Sequence, residues 1–360
     1  MIRKLLLASS AFALVVACSP ADMSDESAPD SVEDAEETPS ETSGADSAGG
    51  DMASGEAVLG EWGVETQHIS ETVDPGDDFF RYVNEGWLDT AEYPPGFSSL
   101  NGFTELFLQT EERVEGIIHA AAAMDAEPGT PEYQIGTLYN DYLDTDRIEE
   151  LGLTPLQADI DAILASETHE EIARWFGMPS QMSMFTMGVT IDPGDPSRYV
   201  ISTGQAGLGL PNRDYYLRDD EPFPGHREAY VDYMTGLFER SGIENGRERA
   251  EAILALETAI ADIHWTRAQA RDRIANYNLM TVDELTEFAP GFDWRAFLEA
   301  EDVADQEEII VNTDTAVQGL AQLFAETPVE TLRSYLAFHF IDNHTAMLPA
   351  AFDDASFDFY

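Results

Sequence analysis

Residues 166–176 read SETHEEIARWF, and His169-Glu170 within them begins the pattern from which a catalytic zinc helix is built. Two histidines four residues apart project both imidazoles from one helical face onto one ion, while the glutamate beside the first activates metal-bound water. Here the second position is Ala173, which has no ligating atom. The same stretch has another use. Thr168 followed three residues later by Glu171 has the spacing of a capping box, which predicts a helix starting at His169 and carrying Ile172, Trp175 and Phe176. His169 and Glu170 then fill the first turn, where the helix dipole favours an acid.

The other six histidines are His68, His119, His226, His264, His339 and His344. His339 and His344 are five apart, about 140° around a helix, and so diverge. His264 follows Ile260 by four on an apolar stripe and reads as a core histidine. DTDRIEELG (144–152) offers Asp144 and Asp146, but Ile148 and Glu149 stand where a calcium loop needs a ligand and a glycine. No G-x-S-x-G, phosphate loop or dinucleotide fingerprint occurs. By its own chemistry the chain displays no catalytic centre.

The elements around these residues are mainly helical. FTELFLQTEERVEGIIHAA places Phe103, Leu106, Phe107, Val114, Ile117, Ile118 and Ala121 on one stripe, and AEAILALETAIADIHW does the same with Ile253, Leu256, Ile260 and Ile263. Thr130-Pro131, Thr154-Pro155 and Thr327-Pro328 each pair a capping residue with proline at the first helical position. Thr327 with Glu330, and Thr281 with Glu284, have the spacing of further capping boxes. MFTMGVTIDPGDPSRYVIST has two strand-forming runs around a turn-rich centre and predicts a β-hairpin. The expected fold class is mainly α, multi-helical, with a small β-hairpin.

Charge narrows the function classes. The 360 residues hold 70 acidic and 18 basic side chains, for a net charge of −52, and Lys4 is the only lysine. Such a field repels nucleic acid and anionic headgroups, so nucleic-acid binding is excluded. It keeps a protein soluble and attracts cations; if it extended into a cavity, cationic peptides would be captured faster.

The start reads as an address. Arg3 and Lys4 precede the 12-residue apolar run LLLASSAFALVV, which is too short to span a bilayer. VVAC then has the form of a lipobox, cut ahead of Cys18 so that this thiol is acylated; an ordinary secretory signal that loses the cysteine is the other reading. Cys18 is the sole cysteine, so no intramolecular disulfide can form. Ser19, rather than Asp, follows the cysteine, and the resemblance to lipoprotein sorting signals implies an outer-membrane location, facing the periplasm or the exterior. Residues 18–66 are rich in Asp, Glu, Ser, Ala and Gly and predict a disordered acidic tether, spanning on the order of 35–40 Å as flexible coil. The expected organisation is a signal peptide over 1–17, the tether over 18–66 and a folded domain over 67–360.

DPGDDFFRYVNEGWL (74–88) is an amphipathic helix with Phe79, Phe80, Val83, Trp87 and Leu88 expected to face inward. It closely resembles the opening signature of the neprilysin family of zinc metallopeptidases. GLGLPNRDYYL (207–217), ALETAIADIHW (255–265), RDRIANYNLMT (271–281) and FDW (292–294) resemble further signatures of that family in the same order. The resemblance implies the N-terminal helical region of a longer enzyme, whose downstream H-E-x-x-H helix, third glutamate ligand and later histidine hold zinc and hydrolyse oligopeptides. It places zinc outside these 360 residues and implies that no catalytic or metal residue lies in this chain. In animal members an arginine and an aspartate on the cavity wall hold a substrate carboxylate; Leu100 and Thr104 stand near those positions here. Without the arginine there is no bidentate clamp, which favours cleavage within peptides over dipeptide trimming. A catalytically empty lipoprotein that binds peptides or partners on the same scaffold is the alternative. Oligopeptides are the expected partners, and the membrane enters only through Cys18; oligomeric state is left open.

Overall fold

In a computed structural model of the chain, residues 66–360 are described; the expected signal peptide, Cys18 and the expected tether up to residue 65 lie outside them. The described residues divide into two compact units, the first ending at Gly136 and the second covering Thr137–Tyr360.

The first unit holds α1 (Phe79–Leu88), α2 (Gly102–Ala123) and the start of α3 (Pro131–Leu143), which runs on into the second. Each start is set by a polar side chain. Asp78 accepts the Arg81 amide at 2.9 Å, Asn101 accepts those of Phe103 and Thr104 at 2.9 and 3.1 Å, and the Thr130 hydroxyl accepts that of Tyr133 at 3.3 Å. Ser70 anchors the preceding segment to α1: its amide bonds the Tyr82 carbonyl at 2.7 Å and its hydroxyl bonds Glu85. The Trp87 indole donates to Glu105 of α2 at 2.7 Å. α2 and α3 touch where Ala121 is buried against Gly136; a Cβ on that glycine would lie 2.5 Å from the Ala121 carbonyl oxygen.

The expected burial of α1 is corrected here. Val83, Trp87 and Leu88 are half-buried, but Phe79 and Phe80 are 65% and 63% exposed. The helix lies against residues 66–72 on the side of Gly86 and Glu85, and its first-turn phenylalanines point elsewhere. The stripe of α2 has the expected period, yet Phe103, Leu106, Phe107, Val114 and Ile117 are exposed.

The second unit begins with α4 (Thr145–Leu151), capped by Asp144, then α5 (Gln157–Leu164) and α6 (His169–Phe176). The start expected at Thr154-Pro155 is displaced: those residues form a turn, with Leu156 N–H on the Leu153 carbonyl, and α5 begins at Gln157. α6 starts as its spacing dictates, with the Glu171 amide on the Thr168 hydroxyl at 3.2 Å and the Thr168 amide on the Glu171 carboxylate at 3.0 Å.

β1 (Phe185–Ile191) and β2 (Tyr199–Gln205) form the expected hairpin, in register from Phe185 opposite Gln205 to Ile191 opposite Tyr199. The hairpin is half of a larger sheet. β3 (Leu279–Thr281) pairs antiparallel with β4 (Glu308–Val311), and β4 lies parallel to β2 with Ile201 opposite Ile309, giving the order β1-β2-β4-β3. Three- and four-residue strands carry no readable alternation, which is why only the hairpin was legible. Arg198 ties the sheet together, pairing with buried Asp192 at 2.7 Å and with Glu308 at 2.5 Å.

The remaining helices are α7 (Asp214–Leu217), α8 (Phe223–Arg240), α9 (Gly246–Ile263), α10 (Val282–Phe288), α11 (Trp294–Ala300), α12 (Asp314–Glu326), α13 (Val329–His344) and α14 (Ala350–Phe359). The capping box of Thr281 and Glu284 starts α10 as expected. The one expected at Thr327 and Glu330 does not form. Pro328 precedes α13 in an extended conformation, the Thr327 hydroxyl turns back to the Leu323 carbonyl at 2.7 Å, and Glu330 faces Arg333.

α8 and α9 form a helical hairpin that packs on α13, and the core is aromatic. Tyr230, Phe238 and Phe338 are fully buried between these helices, while Phe185, Phe292 and Trp294 meet with ring centroids 4.5–4.8 Å apart beneath the sheet. Each such ring stabilises by about 1.5–3 kcal/mol through burial alone. Among the described residues no helix is long and apolar enough to cross a membrane.

Candidate functional site

A cleft of about 730 Å³ opens where β2 and α9 end side by side. Its walls are the loop over 206–214 after β2 and the segment over 264–270 after α9. The Gln205 amide locks the two together: its oxygen accepts the Trp265 N–H at 2.7 Å and its nitrogen donates to the Trp265 carbonyl at 3.3 Å. His264 Nε2 bonds the Ala206 carbonyl at 3.1 Å, and Arg213 Nε donates to the Ala261 carbonyl at 3.1 Å. The Trp265 indole donates to Thr315 at 2.7 Å, which holds its ring against the cleft. Gly207 takes φ of +98°, a conformation L side chains avoid, as the chain turns over Met184. Burial lowers the His264 imidazole from its ordinary range; the Ala206 carbonyl opposes this and the Arg213 charge reinforces it.

Under this loop sits a buried carboxylate. Glu257 of α9 is fully buried and receives the Tyr216 hydroxyl at 2.6 Å, the Tyr230 hydroxyl at 3.1 Å and the Gly209 amide at 3.4 Å, and it pairs with His339 Nε2 at 2.8 Å. Tyr216 in turn accepts the Leu210 amide at 2.7 Å. Burial, with the Glu257 charge beside it, pushes the Tyr216 hydroxyl far above the usual phenol range, so it remains a donor. A Cβ on Gly209 would fall 2.0 Å from the Tyr230 oxygen, so the loop rests directly on this cluster. The arrangement exposes no nucleophile; it fixes one wall of the cleft in place.

The residues singled out by sequence scatter. His169 bonds the Thr327 carbonyl at 2.9 Å and meets the Phe324 ring edge at 5.2 Å, and Glu170 pairs with Arg174. His339 faces Glu257, His344 bonds the Phe340 carbonyl, and His264 is half-buried at the end of α9 rather than fully in the core. Asp144 is spent on capping α4. Among the described residues no three His, Cys, Asp or Glu side chains are grouped as a metal would need. With His169 Nε2 engaged and Ala173, which has no ligating atom, in place of a second histidine, these residues do not fit zinc. Leu100, half-buried, and Thr104, in the first turn of α2, belong to the first unit. Cys18 lies outside the described residues.

Glu257 escaped the sequence reading, although a signal was present. It lies four residues after Ile253 and three before Ile260, which puts an acid in the middle of an apolar stripe. Such an acid is stable only if buried donors await it.

Comparison with known proteins bears on most of the described region. The N-terminal model of Peptidase family M13 matches residues 75–360. Endothelin-converting enzyme-like 1 of Mus musculus is 26% identical over 307 residues, covering 80% of this chain and 39% of that protein. Endothelin-converting enzyme 1 of Cavia porcellus is 28% identical over 303 residues, with 80% and 40% covered. The chain thus spans about two fifths of these relatives. Among solved structures, the zinc metalloprotease Zmp1 of Mycobacterium tuberculosis in complex with inhibitor superposes with a TM-score of 0.70 at 29% identity, over 82% of this chain and 46% of that one.

Proposed function

Because the chain belongs to peptidase family M13, the neprilysin family of metallopeptidases, we propose that it forms the substrate-cavity or lid region of a zinc metalloendopeptidase that hydrolyses oligopeptides in the bacterial cell envelope. The single observation that carries this reading is the family match across residues 75–360, over a fold that superposes on a zinc metalloprotease with a TM-score of 0.70. In this reading the chain admits and positions the peptide, and zinc, which polarises the scissile amide and activates water, is held by residues outside these 360. Leu100 and Thr104 leave the cavity wall without a guanidinium clamp, which favours cleavage within a peptide. Cys18 carries the lipid anchor, and the acidic stretch after it sets the domain off an outer membrane.

The test extends the coding sequence past Tyr360. A longer protein with an H-E-x-x-H helix should cleave oligopeptides and stop when a chelator is added, while the 360-residue chain alone should bind no stoichiometric zinc and cleave nothing. Chelator-sensitive hydrolysis by the 360-residue chain would overturn the division of labour. A stop codon at that point would favour the second reading, a peptide-binding lipoprotein without catalysis.

A further inference from the structure

The chain averages about one acid in every five residues, yet the two segments that build the cleft are nearly free of them. Residues 196–213 contain no Asp or Glu and two arginines, and residues 263–282 contain one acid, Asp272, and three arginines. The acidic surface therefore does not extend into this cleft. Its charged lining is Arg213, Arg267 and the single acid Asp214, and Arg271 and Arg273 follow on the same loop. Asp272 is occupied, accepting the amides of Ile274 and Ala275 at 3.0 and 3.1 Å.

A second observation concerns partners. Arg81, Arg147, Arg174, Arg198, Arg218, Arg227, Arg247, Arg295 and Arg333 all reach a carboxylate. Arg267, Arg271 and Arg273 are exposed, and among the described residues their guanidinium groups make no ion pair or hydrogen bond. Among the described residues these three guanidinium groups, within seven residues of one another, reach no carboxylate, and no other stretch of the described sequence gathers three arginines so closely without one. Solubility does not require them, because the net charge is already far from zero.

From this geometry we infer that the cleft is a binding site for an acidic peptide segment, whose Asp or Glu side chains pair with Arg267, Arg271 and Arg273 while its backbone lies along the wall formed by Trp265 and the loop over 206–211. Guanidinium groups pair with carboxylates bidentately, and a cleft of about 730 Å³ holds several residues rather than a lone anion. That the ligand is a peptide rests on the reading of the preceding subsection. The net charge of −52 works against this ligand at long range and the loop works for it at contact. At an ionic strength near 0.15 M the screening length is about 8 Å, so the distant repulsion fades while contacts within hydrogen-bond reach persist. Binding should therefore be strongest at intermediate salt, and weaker at very low and very high salt.

The experiment uses the 360-residue chain and fluorescence anisotropy of a labelled peptide of alternating Glu and Gly, with both ends blocked. The Glu peptide should bind and its Gln counterpart should not. The triple variant R267Q/R271Q/R273Q should weaken binding roughly tenfold or more, as expected when charge-assisted pairs are lost. R113Q/R240Q, which removes two other arginines lacking an ion pair, should leave it unchanged, and circular dichroism checks that both variants fold. Equal binding of Glu and Gln peptides, an unchanged triple variant, or tighter binding of a single-stranded oligonucleotide of the same charge would each refute the site. Since nothing is hydrolysed in this assay, a loss of the peptide site leaves the peptidase reading standing, and the reverse also holds.

Discussion

The two units answer the same kind of sequence signal in opposite ways. In the second, the apolar stripe of α9 is covered on every turn, with Ile253 and Ile260 inaccessible to solvent. In the first, the longer stripe of α2 is as regular, yet Phe103 is 86% exposed and Ala121 is the only described apolar residue of the unit that is buried. Periodicity specifies which side of a helix is apolar; what covers that side is decided by other elements. The second unit supplies α8, α9 and α13 to one another, whereas α1 and α2 share little more than the bond from Trp87 to Glu105.

The sharpest way to break this comparison is a matched pair of truncations. Phe338→Ala removes a fully buried ring and should lower unfolding free energy by about 3–5 kcal/mol. Phe103→Ala should change it by no more than about 0.5 kcal/mol. Urea denaturation of the two variants decides the matter, and similar losses in both would erase the distinction. A smaller effect sharpens it. Gly136→Ala forces a methyl to within 2.5 Å of the Ala121 carbonyl and should cost about 1–3 kcal/mol, read as faster hydrogen exchange in α2 and α3 and not in α8 and α9. Unchanged exchange would mean that α2 and α3 are not held by that contact.

The smallest effect concerns pH in the second unit. The folded imidazole of His264 titrates below its unfolded value of about 6.5, so the unfolded chain binds its proton first as pH falls. The stability it contributes is present above that value and is lost as pH drops through the folded pKa. The difference in urea midpoint between wild type and His264→Gln should therefore shrink between pH 7 and pH 5. A constant difference would show that burial does not govern this group.

Much of the scaffold was legible before any coordinates. The capping boxes at Thr168 and Thr281 and the hairpin of β1 and β2 follow from spacing within a few residues, where local chemistry decides the outcome. The box at Thr327 failed because the proline after it fixed an extended backbone and turned the hydroxyl toward the preceding helix. β3 and β4 were invisible because their pairing spans distances in sequence that no local pattern records. The cleft was partly legible: GLGLPNRDYYL and ALETAIADIHW were recognised as signatures, but the contacts among Glu257, Tyr216 and Gly209 link residues up to 48 positions apart. The acid-poor stretches could have been read from charge spacing alone.

The parallel pairing of β2 with β4 has a consequence for the order in which this molecule comes into being. Ile201 meets Ile309, so the loop that this contact closes contains both walls of the cleft and all of α8 and α9. Closing so long a loop is entropically demanding and slows the search. While a ribosome is still short of Val311, β2 has a neighbour on one edge only, and the nascent protein must wait for β4 before its sheet is whole.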